Sequence, residues 1–248
     1  MAEAGPFTES QPPPPRPEDR LDETEKRRPW APLEQTDAMV GLIFVVLGLM
    51  LAGGIVFALI TEEPARTLVS LVPQGMLFIG VPLAIAARRV PSRPWRVVGY
   101  VSFKPSDLWL VAAAMGIQIA VTVAFTALFF TPEQDTLVED VDFNETTLAA
   151  VATVFLIVIA APITEETLFR GLFFGALRTR APFWVAAGAS GILFGAVHLA
   201  SGDAAVAGLL ALFGVILAWL YERTRSLGPP IVLHMVNNAI AIIPLLSG

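Results

Sequence analysis

Long apolar segments alternate with short polar ones from residue 39 to the end of the chain. A helix needs about 20 consecutive apolar residues to cross a hydrocarbon core of roughly 30 Å, and this length recurs along the chain. We predict seven helices, over residues 39–60, 67–87, 108–130, 147–177, 182–200, 204–221 and 230–247. The pattern therefore predicts an all-α protein, a polytopic transmembrane bundle of about seven spans.

The first 36 residues differ from everything that follows. They contain four consecutive prolines, Pro12–Pro15, and a mixed charged run over 18–28, and no apolar period is sustained. Such a composition predicts a disordered tail over 1–36, N-terminal transmembrane helices over 37–146 and a C-terminal core over 147–248. The first apolar segment is followed by further spans, so we interpret it as an uncleaved membrane helix.

Composition supports the membrane assignment and excludes several classes of site. Of 248 residues, 55% are hydrophobic and 15% are charged, and the mean hydropathy of +0.67 is too high for an ordinary soluble domain. The net charge of −6 comes with no basic face, so no nucleic-acid partner is expected. The chain has no cysteine, which excludes disulfides, thiolate metal sites and cysteine nucleophiles.

Charge in the loops predicts how the chain crosses the membrane. Loop 88–104 contains four arginines and a lysine without an acid, and loops 178–181 and 222–229 contain two arginines each. Loop 131–146 contains six acids without a base. Because basic loops stay on the cytoplasmic side, we expect an integral multi-pass protein of the cell (inner) membrane with a cytoplasmic N-terminus.

Ionisable residues inside the predicted spans are confined to the second half of the chain. They are costly in a bilayer and by default mark function. Glu166 and Arg170 are four residues apart on one helix face and predict an ion pair. Glu165 points about 100° away and has no partner near it in sequence.

The two histidines of the chain lie on other helices. His198 follows a stripe of small residues, Gly188, Gly191 and Gly195, which predicts close helix packing. Glu165 and His198 are equally far from the turn at Ala181–Pro182, so a helical hairpin would place a carboxylate opposite an imidazole at one depth.

His234 and Asn238 are four residues apart on the last helix and form a candidate oxyanion site. Counted from the cytoplasmic turns, His198 lies about 25 Å along its helix and His234 about 12 Å, which leaves the depth of the site open.

Three short motifs together resemble a known family. They are Glu-Glu-x-x-x-Arg at 165–170, Phe-x-x-x-His at 194–198 and His-x-x-x-Asn at 234–238. In this order on separate hydrophobic helices they resemble the CPBP family of intramembrane proteases, also called the CAAX protease and bacteriocin-processing family, which includes prenyl endopeptidases. The resemblance identifies residues 147–248 as a catalytic core.

The resemblance implies a role for each motif residue. Glu165 would be the general base that activates water, assisted by His198, and His234 with Asn238 would hold the oxyanion. Glu166 and Arg170 would order the catalytic helix, with Phe194 supporting the site.

Two chemical schemes use these residues. In one, Glu165, His198 and His234 would ligate zinc and leave one position open. In the other there is no catalytic metal, and we favour it because no second shell that would orient three zinc ligands can be identified in the sequence. Neither scheme needs an organic cofactor.

The implied activity is endopeptidase cleavage in CAAX-type or leader and sorting-signal processing. Expected partners are membrane lipid and a membrane-associated or lipidated protein or peptide. One alternative is a non-catalytic scaffold or bacteriocin-immunity-type protein of the same fold. Another is a proton-coupled transporter with Glu165 and His198 as a relay, although the chain lacks the internal repeats common in transporters.

Overall fold

The computed structural model describes residues 28–61, 65–129, 147–199 and 204–246. Within these ranges seven long helical elements follow one another: α1 (Gln35–Leu59), α2 (Ala65–Arg89), α3 (Leu108–Phe129), α4 (147–178), α5 (Phe183–Val197), α6 (Ala204–Thr224) and α7 (Gly228–Leu246). Two short helical turns, Pro94–Val97 and Pro105–Asp107, lie between α2 and α3. The all-α prediction is confirmed, and the described ranges contain no strand.

Not every helix is long enough to cross a bilayer. Five spans meet the requirement: Gln35–Leu59, Val69–Arg89, Pro105–Leu128, Val151–Arg178 and Ala204–Thr224. The apolar stretches Phe183–Val197 of α5 and Gly228–Ile243 of α7 are shorter, and α5 covers only about 22 Å. The chain is therefore an integral membrane protein with five full-length candidate spans and two shorter apolar helices. Its acidic loop 131–146 lies outside the described residues.

The predicted tail over 1–36 extends too far, because its last residues belong to the folded core. Trp30 is completely buried, with its ring 4.7 Å from that of Tyr221 and 5.7 Å from that of Phe174. Its Cβ lies where a side chain at Gly175 would otherwise be. The sequence does not reveal this contact, because a single buried aromatic residue in a proline-rich segment produces no apolar periodicity. Residues 1–27 lie outside the described part of the chain.

Helix α4 is the centre of the bundle. Every residue from Glu165 to Ala176 is buried, because α1, α2, α5, α6 and α7 all contact this helix. Helix α1 pairs with α2, and α3 packs on α6 and α7. The motif residues of α4 therefore point into protein on every side.

Helices α5 and α6 are in close contact along part of the predicted glycine stripe. A Cβ at Gly191 would lie 2.6 Å from the carbonyl oxygen of Ala211, and one at Gly195 would overlap that of Ala207. A Cβ at Gly188 would meet nothing within 4 Å. The stripe is thus confirmed for two of its three glycines.

The connection between α2 and α3 folds back along α4. Val97 and Val98 are buried, and Gly99 has a φ of +102° that favours glycine. Its carbonyl accepts from the N–H of Leu227 at 2.9 Å, while Gly171 of α4 lies against Val98. Gly171 precedes Arg178 by about 10 Å along the helix axis. The α2–α3 connection therefore links the middle of α4 to the start of α7.

Candidate active site

The Glu166–Arg170 ion pair forms as its spacing predicts. Arg170 Nη1 donates to Glu166 Oε1 at 2.9 Å, and neither side chain is exposed. Arg170 Nη2 donates to the carbonyl of Gly214 at 3.0 Å, and the guanidinium lies 4.7 Å from the centre of the Phe194 ring. Buried charges need partners of this kind, so Arg170 ties α4 to α5 and α6.

His234 of α7 lies between the two glutamates. Its Nδ1 is 3.0 Å from Glu166 Oε1, and its Nε2 is 3.7 Å from Glu165 Oε2. Because the Glu166 carboxylate paired with Arg170 can only accept, Nδ1 must carry the hydrogen. In the neutral ring Nε2 is then an acceptor that faces Glu165.

The two neighbouring glutamates have different environments. The Glu166 side chain is fully buried and its Oε1 bonds to both Arg170 and His234, whereas the Glu165 side chain is 12% exposed. The 3.7 Å between Glu165 Oε2 and His234 Nε2 exceeds a direct hydrogen bond and suits a bridging water. Arg170 holds the Glu166 carboxylate in place, whereas the Glu165 carboxylate is partly exposed. Two neighbouring carboxylates in such different environments can take separate chemical roles.

The Phe194 ring connects the two histidines. Its centroid lies 4.9 Å from that of His198 and 5.7 Å from that of His234. His198 follows the last residue of α5, and its Nδ1 is 2.7 Å from the carbonyl oxygen of Phe194. The imidazole nitrogen that lies 3.7 Å from Glu165 belongs to His234. The hairpin geometry compares α4 with α5 alone and cannot place α7, and its pairing of Glu165 with His198 stays a prediction.

Asn238 satisfies a carbonyl that a proline leaves open. In the π-helical turn Leu156–Ala160 the N–H of Ala161 bonds five residues back, to Leu156. The next carbonyl, that of Ile157, would need an N–H at position 162, which is proline and has none. Asn238 Nδ2 donates to this carbonyl at 3.0 Å. Asn238 therefore joins α7 to α4 about two turns before Glu165, and its role as an oxyanion donor stays a prediction.

The three residues of the zinc scheme do not assemble as a metal site. In the described residues no three His, Asp or Glu side chains are placed to hold a metal ion. Glu165 and His234 are neighbours. The His198 ring lies against the Phe194 ring, which in turn lies against His234. The second shell that the sequence does not reveal is nevertheless present, because Glu166 and the Phe194 carbonyl each engage one Nδ1. This arrangement therefore favours neither scheme.

Three further residues of the site lie outside the three sequence motifs. Phe213 has its ring 5.4 Å from that of His234, Gly214 accepts from Arg170, and Tyr100 lies 2.6 Å from Thr167 Oγ1 through its hydroxyl. Tyr100 could have been noticed, since it stands in an apolar run, 97–101, inside an otherwise basic loop. Phe213 and Gly214 sit in a uniformly apolar helix that gives no such signal.

Comparisons with known proteins agree with the motif region. Residues 147–240 match the family described as "Type II CAAX prenyl endopeptidase Rce1-like". The chain is 36% identical over 85 residues to "Putative membrane peptidase YdiL" of Bacillus subtilis (strain 168), which is 34% of each protein. It is 28% identical over 137 residues to "Uncharacterized 24.3 kDa protein" of Escherichia coli, covering 54% of this chain and 62% of that protein.

These matches cover part of each protein. The chain spans 34% and 62% of the length of the two curated relatives it matches. No solved structure matches the chain. All three motifs, and with them the cluster around Glu165, fall inside the family match. Residues 147–240 are therefore similar to the Rce1-like type II CAAX prenyl endopeptidases, which confirms the resemblance that the motifs indicate.

Proposed function

We propose that this protein is an intramembrane endopeptidase in which Glu165 activates a water molecule for attack on a peptide carbonyl. The observation that carries this proposal is the unequal treatment of the two glutamates. Glu166 is held by Arg170 and His234, whereas Glu165 is partly exposed and faces the acceptor nitrogen of His234. Intramembrane acids are costly and by default mark function.

The proposed reaction needs one water and no covalent intermediate. Glu165 and His234 Nε2 orient the water, and Glu165 takes its proton while the water oxygen bonds to the carbonyl carbon. The resulting oxyanion needs donors. Candidates are His198 and the second N–H of the Asn238 amide. Glu165 then returns the proton to the amide nitrogen and the C–N bond breaks. The carboxylic acid so formed passes the remaining proton of the water to the amine, and a carboxylate and an ammonium group leave.

The substrate class follows from the family resemblance. It supports a membrane-associated or lipidated protein or peptide, cleaved in CAAX-type or leader and sorting-signal processing. The name "Putative membrane peptidase YdiL" given to the Bacillus subtilis relative agrees with this reaction.

We propose that the N-terminus is cytoplasmic and that the site opens towards that side of the cell membrane. The basic loops, above all 88–104, support this orientation. Because the chain lacks cysteine, Arg96→Cys and Asp140→Cys can be compared directly in intact cells. An impermeant thiol reagent added outside should label position 140 and spare 96, and the reverse pattern would invert the topology.

The activity can be tested without knowing the substrate. Purified protein in detergent is incubated with a mixed peptide library, new N-termini are identified by mass spectrometry, and Glu165→Gln is run in parallel. New termini should appear with the wild type alone, and zinc content measured on the same samples decides between the two schemes. Identical termini from wild type and variant would refute the proposal and favour the non-catalytic scaffold.

A further inference from the structure

A cleft of about 450 Å³ lies beside the glutamate cluster. Its lining combines the α2–α3 connection with α4 and α7: Tyr100, Val101, Ser102, Phe103, Ile163, Gly228 and Ile231. Ile163 precedes Glu165 by two residues, about 3 Å along the axis of α4. Ile231 lies three residues, nearly one turn, before His234. Two of the walls of the cleft are thus the helices that carry the candidate catalytic residues.

The wall formed by the α2–α3 connection is held in place by side-chain anchors. Ser226 Oγ donates to the carbonyl of Val101 at 2.6 Å, and the Phe103 ring packs directly on Gly228. The Tyr100 hydroxyl is 2.6 Å from Thr167 Oγ1. Burial raises the pKa of the Tyr100 phenol, so this hydroxyl stays protonated and keeps its hydrogen bond to α4.

The main chain of this wall has free hydrogen-bonding groups. Residues 101–104 form neither helix nor turn, and Lys104 is extended, with φ −83° and ψ 141°. In the described part of the chain, no hydrogen bond involves the N–H or C=O of Ser102 or Phe103. The cleft therefore offers a ligand both apolar contact and main-chain hydrogen bonds.

We propose that this cleft binds an extended apolar stretch of the substrate polypeptide, whose main chain hydrogen-bonds to the open main-chain groups of Ser102 or Phe103. The inference rests on the proposed function, since it places the substrate next to Glu165. Strand addition of this kind takes affinity from main-chain hydrogen bonds and selectivity from side-chain pockets. A lipid chain would fill the apolar part of the cleft but has no groups that could hydrogen-bond to this main chain. The geometry therefore favours a peptide.

Two serines of the same connection provide a matched test. Ser102 lines the cleft and Ser106 stands outside it, and both are exposed. Each is replaced by cysteine in the full chain carrying Glu165→Gln, so that bound peptide is not cleaved. The rate of reaction with a small thiol reagent is then measured with and without a library of short apolar peptides.

The peptides should slow the reaction of Ser102→Cys about tenfold when their concentration is ten times Kd, and leave Ser106→Cys unchanged. The same peptides methylated on their amide nitrogens should protect less, because they cannot donate to the wall. Dioleoylphosphatidylglycerol added in mixed micelles with the detergent, without peptide, should not protect. Equal protection of both positions, protection by lipid alone, or undiminished protection by methylated peptides would overturn the proposal.

The result separates this inference from the proposed function. Protection at Ser102→Cys without cleavage by the wild type would leave the peptide site standing and refute the protease. Cleavage by the wild type without protection would keep the protease and refute this peptide site.

Discussion

Helices α1 and α4 are both candidate membrane spans, yet α1 is mostly exposed whereas the centre of α4 is enclosed by other helices. Only 6% of the most apolar window of α1 is buried, against 28% in α4 and 50% in α6. Helix α1 has no charged residue after Asp37, and its side chains Met50, Leu51 and Leu59 are 71%, 67% and 78% exposed. Helix α4, with two acids and an arginine at its centre, is enclosed over Glu165–Ala176.

The difference shows what drives burial in a membrane protein. Lipid is as apolar as leucine, so an apolar helix gains little by leaving it. A charged helix must be surrounded by partners, because lipid offers none. The second half of the chain therefore builds a polar interior, whereas the first half contributes a lipid-facing hairpin and the connection that lines the cleft.

The largest difference between the two halves should appear in their ion pairs. Glu166→Gln leaves Arg170 without its charge partner in a site with no exposure, and breaking a buried pair costs about 3–5 kcal/mol. Glu34→Gln removes a pair with Arg89 whose partners are 54% and 30% exposed, which costs about 0–1 kcal/mol. Thermal unfolding of both variants in detergent measures the contrast, and equal melting temperatures would contradict it.

Catalysis should separate the neighbouring glutamates from each other. Glu165→Gln keeps size and hydrogen bonding but removes the base, so we expect cleavage to fall by about 10²-fold with the melting temperature unchanged. Glu34→Gln serves as the control for charge removal and should cleave normally. Normal turnover by Glu165→Gln would end the assignment of Glu165 as the base.

What the sequence predicts correctly is local. The Glu166–Arg170 pair follows from an i, i+4 spacing within one helix, and the contact between α5 and α6 follows from glycines on one face. Phe169 and Phe194 are equally far from the turn at Ala181–Pro182 and their rings lie 5.1 Å apart, as in a helical hairpin, while the pairing of Glu165 with His198 stays a prediction. These features depend on one helix or on two consecutive ones.

What it does not predict depends on helices far apart in the chain. The contact of His234 with both glutamates needs the depth at which α7 begins, and this is set by the connection that folds back against Gly171. Trp30 fills a gap between α4 and α6 that exists only once both are packed. Neither contact leaves a periodic pattern in the sequence, because each depends on a single residue.

Glycines provide a smaller test of the same contrast. Gly195→Ala places a methyl group against the backbone of α6, and overpacking of this kind costs about 1–3 kcal/mol. A Cβ at Gly53 in α1 would meet nothing within 4 Å, so Gly53→Ala should stabilise the protein by about 0.4–1 kcal/mol. Opposite shifts in melting temperature are expected, and a loss of stability at Gly53 would show that α1 has a protein partner on that side.

The smallest effect distinguishes two roles of Asn238. If its amide mainly satisfies the Ile157 carbonyl, Asn238→Ala should cost about 0.5–1.5 kcal/mol, the net value of one hydrogen bond. Pro162→Ala restores an N–H that can reach this carbonyl, so Asn238→Ala should cost less in that background. The double-mutant cycle then gives a coupling of about 1 kcal/mol between α4 and α7. A coupling of zero would mean that the hydrogen bond contributes nothing to stability.

Activity in the same four proteins addresses the oxyanion. If Asn238 also donates to the transition state, kcat stays low in the double variant although its stability is restored, with KM little changed. If kcat recovers together with stability, Asn238 acts by holding α4 in position. In that case His198 is the remaining candidate donor from the three motifs.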